Sequence, residues 1–373
     1  MKNLETEPGL TGPLRSSPDV AWIRDGMALF GWGVGRGIDP GVGSDRFERA
    51  RTAVEAIPGG IGFAAFTFDE DEPGSVVMIP ETVLEVTPGA TRVLVGDRRQ
   101  IPAPGSHFPV PPGRVSAEDK NAWRSAMDLA LHAISLGEVE KVVLSRTVAV
   151  TFEGDVPIHR VAEELVDSQG MSHTFLIDGL VGSSPELLVS KHGSSVGSVS
   201  LAGSADRTDP SASISLNSQK MAVEHSLAAD SVEEALLPFC NSLERQPSRV
   251  ETFADIHHLA TAFTGEAVIG TYVTDLVAAL HPTAAVAGTP TKAAIELIRE
   301  IEAHGRGRYA GPVGWLDAAG DGEFAIALRC GEIRGDRATL YTGVGLVDGS
   351  DREAELEETR IKLRPMLRAF GLS

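Results

Sequence analysis

The segment KVVLSRTVAVTF (141–152) constrains the fold most, because a run this rich in β-branched residues makes a long strand and a poor helix. Similar segments come in pairs. HTFLIDG and GSSPELLVSKHG (173–193) predict one hairpin, and GEFAIALRCGEIR (322–334) with ATLYTGVGLVDG (338–349) a second strand pair. From Val20 to about Val95, short apolar runs such as GFAAFTF (62–68) and TRVLVG (91–96) add strands punctuated by Gly and Pro. Helical patterns lie between these blocks, over Ala117–Leu136, Ser218–Leu237, Ala293–Ala303 and Asp351–Phe370. Strands joined by hairpins, with helices between blocks, predict an antiparallel or mixed α+β architecture and not a doubly wound one. GVGRG (33–37) and GVG (343–345) fit that exclusion, since neither has the strand, Gly-rich turn and helix of a dinucleotide site.

At 373 residues the chain has room for one large domain or two ordinary ones. Residues 1–18, polar and rich in Pro, Gly and Ser, predict a loose tail. The proline-dense QIPAPGSHFPVPPG (100–113) predicts a linker or crossover, and LAGSADR (201–207) a Gly-rich turn. A formal net charge of −19 argues against nucleic acid and anionic membranes as partners, since both need a basic surface. No run approaches the roughly 18 apolar residues of a membrane span, and the N-terminus lacks the apolar stretch of a signal peptide. Cys240 and Cys330 are too few for a disulfide framework and stand in no paired metal-ligand spacing. The expectation is a soluble, cytoplasmic monomer, whose negative surface would need a local positive site for any anionic substrate.

Two sets of carboxylates stand out. In the closing helix Leu356, Leu363, Leu367 and Phe370 form the apolar stripe, and Glu355, Glu358 and Lys362 share a second stripe that borders it. A solvated charged face is the ordinary explanation of such a stripe. In SQKMAVEHSLAADSVEEALL (218–237), Glu224 projects with Ala228, Val232 and Ala235, so one acid sits on a small-apolar face. A buried carboxylate needs a cation, a proton or strong hydrogen bonds, and a structural ion pair would serve. Carboxylates from two helices would also suit a hard divalent cation with open water positions, as Mg²⁺ prefers.

Read together, the motifs say more. KVVLSR (141–146), GSSPELLV (182–189), LAGSADR (201–207), VEH (223–225), HLATAFTG (258–265), HPTAAVAGTP (281–290), YAGPVGW (309–315), GEFAIALRC (322–330), GVGLV (343–347) and AELEETRIKL (354–363) follow one another in a characteristic order. That order resembles the chorismate-utilising enzymes, which include isochorismate synthase, salicylate synthase and the synthase components for anthranilate and aminodeoxychorismate. The resemblance covers residues 116–370, the expected chorismate-binding core. It implies one catalytic domain over 19–373, like anthranilate synthase component I. Two large antiparallel sheets would pack together, helices would flank them, and the site would open at one end of the sandwich.

The resemblance also implies a chemistry. Lys141 matches the water-using members, and Ala202 stands where aminodeoxychorismate enzymes tend to place a nucleophilic lysine. Isochorismate synthase is therefore the expected activity, with salicylate synthase as the alternative; isochorismate feeds menaquinone, catecholate siderophores and salicylate. By this resemblance Lys141 is the base and Glu186 the acid, each needing a perturbed pKa. Glu224, Glu355 and Glu358 are the implied Mg²⁺ ligands, and Arg329, on the strand GEFAIALRC, the clamp on the pyruvyl carboxylate. Gly203, Ser204, His258, Ala285, Tyr309, Gly343 and Lys362 are implied around the substrate, chorismate, while His257, His281 and Cys330 read as structural. Two departures stand in the metal-binding helix: Met221 where isochorismate synthases carry an acid, and Val223 where they carry a histidine. The Val-Glu-His triplet resembles salicylate synthases, whereas HPTAAVAG and LAGSADR look closer to isochorismate synthases.

Overall fold

The computed structural model describes residues 9–35, 37–106, 108–170, 172–206, 219–252, 256–302 and 305–372, with backbone alone at 202–206, 219–224 and 256. The strand-rich segments assemble into two antiparallel sheets. The first runs, in spatial order, β16 (Gly288–Thr289), β8 (Lys141–Phe152), β20 (Arg337–Val347), β19 (Cys330–Arg334), β10 (Leu180–Ser184), β9 (His173–Ile177), β1 (Val20–Arg24), β2 (Met27–Trp32), β5 (Thr82–Thr87) and β6 (Ala90–Val95). A short β7 (Gly113–Val115) pairs with the far end of β8. The second sheet runs β13 (Cys240–Arg245), β15 (Ile256–Ala267), β12 (Ser195–Asp206), β11 (Leu187–His192), β18 (Gly322–Ile326), β17 (Pro312–Asp317), β3 (Ile61–Ala65) and β4 (Val76–Met78), with β14 (Arg249–Thr252) beside β15.

The period of two decides which side chains face which layer. On β1, Val20 and Trp22 enter the core shared by the sheets, while Ala21 and Ile23 point outward into a second apolar cluster. Among the described residues seven helices cover the sandwich: α1 (Arg46–Glu55), α2 (Lys120–Ser135), α3 (Ile158–Gln169), α4 (Gln219–Leu236), α5 (Val273–Leu280), α6 (Thr291–Ile301) and α7 (Arg352–Ala369). Asp119 and Asp351 start α2 and α7 by accepting hydrogen bonds from the first backbone N–H groups of those helices. On α7, Leu356, Leu363 and Phe370 of the expected stripe are buried, and Leu367 is half-buried against the same cluster as Leu363 and Phe370. None of the described helices is long and apolar enough to cross a membrane. The whole is one domain of two packed antiparallel sheets flanked by helices, as the sequence predicts.

The structure corrects several local expectations. The second half of the 173–193 segment is not one strand: β10 closes the hairpin with β9, and after Pro185 and Glu186 the chain enters the other sheet as β11. The 322–334 segment splits the same way, β18 lying in the second sheet and β19 in the first. Arg329 therefore lies on a crossover and not on a strand, with a positive φ of 48°. The two crossovers adjoin, Ile326 N–H donating to Glu186 O at 3.1 Å. LAGSADR is no turn through residue 206, since β12 pairs with β15 from Ser195 to Asp206 and bulges at Gly203, between the pairs Ala202–Leu259 and Ser204–His258. Within the expected tail, Gly12–Ser16 form a one-turn 3₁₀ helix that buries Leu14 against α3, so order begins before residue 18.

Candidate active site

Both crossovers open onto one cavity at the end of the sandwich. It has a volume of about 150 Å³, room for a single small molecule. From β8 and β20, alternate residues face it: Lys141 and Val143 on one strand, Gly343, Gly345 and Val347 on its partner. The crossovers contribute Glu186 and Arg329, β15 contributes His258, and α7 closes one side with Glu355, Glu358 and Lys362. Ala285 and Val286 form a further wall, and Tyr309 another.

Glu186 is a strongly perturbed acid of this cavity. Burial in the sheet-to-sheet crossover pushes its pKa up to about 7, against the pull of the Leu201 backbone N–H and of Lys141, Arg329 and Lys362. A carboxyl near that value is half protonated at neutral pH and can give a proton up. Tyr309 is buried, which raises its hydroxyl and keeps it a neutral donor. Its ring stacks on Tyr341 with centroids 5.4 Å apart and planes 10° from parallel. Gly343 lies under the tyrosine hydroxyl, where a Cβ would come within 2.9 Å of Tyr309 Oη. Lys362 Nζ donates to the Gly343 carbonyl at 3.0 Å and pairs with Glu358 at 2.7 Å.

The fit of a divalent cation rests on Glu355 and Glu358, one helical turn apart and both facing the cavity. Among the described residues no group of three His, Cys, Asp or Glu side chains converges as a metal cage. Two carboxylates, with remaining positions for water and a bound carboxylate, match what Mg²⁺ asks of a protein. Glu224 lies on α4, and its side chain is outside the described residues, as are those of Gly203, Ser204, Met221 and Val223. The residues read as structural behave so. His281 Nε2 donates to the Phe68 carbonyl at 2.9 Å, with its pKa lowered by burial to about 3, and Cys330 is buried against Ala327 O. His257 contacts Thr252 on the opposite strand face from His258.

A model described as chorismate binding enzyme matches residues 98–371. The chain belongs to the chorismate-binding enzyme family. Among curated members, isochorismate synthase MenF of Bacillus subtilis is 38% identical over 264 residues, covering 68% of this chain and 56% of its own length. Isochorismate synthase DhbC of the same organism is 40% identical over 270 residues, covering 67% of this chain and 68% of its own. The matched stretch thus spans little more than half of the first relative. Among solved structures, MenF from Escherichia coli superposes with a TM-score of 0.82 at 23% identity, over 99% of this chain and 92% of that one, which speaks to the fold.

Within this family member the cavity also holds residues that sequence reasoning passed over. Arg306 lines it, buried beside Phe68 with its guanidinium carbon 4.3 Å from the ring centroid. Pro185, Leu201, Ala310, Leu328, Val344 and Ser350 complete the wall. Arg306 and its partner Glu302 stand four residues apart at the end of a surface helix, a spacing that reads as an ordinary exposed pair.

Proposed function

We propose that this protein is an isochorismate synthase, interconverting chorismate and isochorismate by adding water at ring carbon C2 with loss of the hydroxyl at C4. The observation that carries the reading is Glu186, an acid poised near pH 7 in a cavity shared with Lys141, Arg329 and Lys362. Chorismate is a dicarboxylate, so the Arg329 and Lys362 cations in one cavity answer the charge problem of an acidic protein. Water is a poor nucleophile and hydroxide a poor leaving group, so the exchange needs a base and an acid at separate ring positions. Lys141 takes the proton from the attacking water, and Glu186 gives one to the departing hydroxyl. Arg329 receives a substrate carboxylate in its planar fork, with the Tyr309 hydroxyl a neutral donor nearby. Glu355 and Glu358, with Glu224 from α4, would hold Mg²⁺, whose charge would neutralise the ring carboxylate. The names of the curated relatives support the same activity.

The test is to incubate the protein with chorismate and Mg²⁺ and separate the products over time. An equilibrium mixture of chorismate and isochorismate is expected, and a chelator should abolish its formation. Salicylate with stoichiometric pyruvate would instead make the protein a salicylate synthase. Unconsumed chorismate with Mg²⁺ bound would refute both.

A further inference from the structure

Among the described residues, no strand covers the whole edge of β8 next to the cavity. The two-residue β16 pairs with Lys141 and Val142, and Val143 N–H donates to Ala287 O at 2.9 Å. On the same edge β7 takes up pairing at Val150–Phe152. In the gap, side chains replace a strand. Arg306 Nη2 donates to Val143 O at 2.6 Å, and Glu302 accepts from Ser145 N–H at 2.8 Å and from Ser145 Oγ at 2.8 Å. The two side chains are joined at 2.6 Å and are 2% and 4% exposed. Arg306 also donates through Nη1 to Val286 O at 2.8 Å, on the segment that leads into β16 and forms a further wall of the cavity.

We infer that the Glu302–Arg306 pair is a positioning element for the reaction, standing in for a missing strand so that Lys141 and the Val286 wall keep a fixed separation. One guanidinium donates to carbonyls on two separate segments, and a carboxylate accepts the N–H two residues on, which is the alternation a neighbouring strand would supply. The inference rests on reading Lys141 as the base. A buried ion pair adds little to stability over well-packed apolar residues, so stability alone gives weak reason for its presence here. Geometry gives a better one: only a planar fork spans Val143 O and Val286 O together, which a lysine ammonium on a flexible stem does not.

The experiment compares Arg306→Lys, Glu302→Gln, Glu302→Ala and Lys141→Ala with wild type, reading kcat, KM, thermal unfolding and amide hydrogen exchange over residues 141–147. In Arg306→Lys kcat should fall at least about tenfold with KM within about twofold, the pattern of a displaced catalytic group in an intact pocket. Exchange over 141–147 should quicken in the same variant. Glu302→Gln, which keeps an acceptor for Ser145 N–H, should retain more turnover than Glu302→Ala at equal folded fraction. Wild-type kcat in Arg306→Lys, or a loss that tracks only the loss of folded protein, overturns the inference. If Lys141→Ala is inactive while Arg306→Lys is not slowed, positioning fails and the base stands. If Lys141→Ala turns over normally, the base assignment fails, and unchanged exchange in Arg306→Lys would then sink the pair's strand-holding role as well. Should Arg306→Lys not fold, Ser145→Ala removes one hydroxyl bond to Glu302. A fall of about two- to fivefold in its kcat at constant KM supports the inference, and no change refutes it.

Discussion

Lys362 Nζ stands 2.7 Å from Glu358 Oε1 on the preceding turn of α7 while donating to the Gly343 carbonyl on β20. In the proposed reaction this one ammonium would temper a carboxylate that would hold Mg²⁺ and would offer positive charge to the substrate. Removing it should move two measurable quantities in opposite directions. In Lys362→Met the KM for chorismate should rise about tenfold, since a charged contact is lost. The Mg²⁺ concentration for half-maximal turnover should fall about three- to tenfold, because a like charge beside the cation is gone. A rise in both would show instead that Lys362 serves mainly to dock α7.

Glu186 carries a stability cost that its chemistry requires. Unfolded, it ionises near 4.5; folded, near 7. Between those values the unfolded chain releases a proton that the folded one retains, so stability falls as pH climbs from 4.5 and levels off above 7. The raised pKa corresponds to about 3 kcal/mol. Glu186→Gln should therefore be more stable than wild type at pH 8 by up to about 3 kcal/mol and nearly equal at pH 4, while turning over at least ~10²-fold more slowly. Denaturant titrations at the two pH values check this, and equal stabilities at pH 8 would contradict the burial argument. In the wild type, turnover should decline as pH rises above 7, where the acid has lost its proton.

Lys141 faces the cavity from the first residue of β8, and Thr289 of β16 pairs with it. Lys141→Ala should leave the strand in place, since its backbone makes the pairing. Chorismate binding should persist, and turnover should drop by at least ~10²-fold, the usual loss on removing a general base. Isothermal titration with chorismate beside a turnover assay separates these effects. Near-normal turnover would reassign the base.

The long strand at 141–152 and the α7 stripe were legible because burial on one face writes a period of 2 or 3.6 into the residues. The paired crossovers were not. GEFAIALRC stays apolar through Ala327 and Leu328 as the chain changes sheets, and the mark in GSSPELLV is a short Ser-Pro-Glu break that a kink within one strand would also explain. That concealed what places Glu186 and Arg329 together. α1, α3 and α5 are not predicted from the sequence, since at 10, 12 and 8 residues each repeats its apolar stripe over only about two to three turns. The Glu302–Arg306 pair was invisible for another reason: its meaning lies in the unpaired edge of β8, more than 150 residues away in sequence.

Glu323 ties the sheets together. It sits on β18 of the second sheet and accepts from Trp22 Nε1 at 3.0 Å and Arg24 Nε at 2.9 Å, both on β1 of the first, and lies 2.9 Å from His192 Nε2 on β11. Burial alone would raise its pKa, but the bonds from His192, Arg24 and Trp22 pull it down to about 2. Its contribution is present above 4.5 and is lost as pH falls from there toward 2. Glu323→Gln should cost about 2–3 kcal/mol at pH 7, less than a fully buried pair because Arg24 is partly solvated. The deficit against wild type should shrink on acidification. A constant deficit would mean that shape, not charge, is what the site needs.

Gly343 offers the most local test of the cavity's shape. A methyl group there would meet Tyr309 Oη at 2.9 Å and the Leu144 carbonyl at 3.1 Å. Tyr309 has little room to yield, being buried and stacked on Tyr341. The backbone at Gly343 is ordinary strand, so Gly343→Ala adds no conformational strain and should fold with a melting temperature close to wild type. Its effect should fall on the ligand. The methyl group must displace the tyrosine hydroxyl into the cavity or lift β20 from β8, and either narrows the space between Lys141 and Arg329. Chorismate affinity should drop at least about tenfold, the scale of a misplacement near 1 Å in a small closed site. In a Tyr309→Phe background, which lacks the atom that clashes, adding Gly343→Ala should cost much less affinity than it does in wild type. If it costs as much in both, the tyrosine hydroxyl is not what the glycine accommodates, and the Leu144 carbonyl contact is left as the cause.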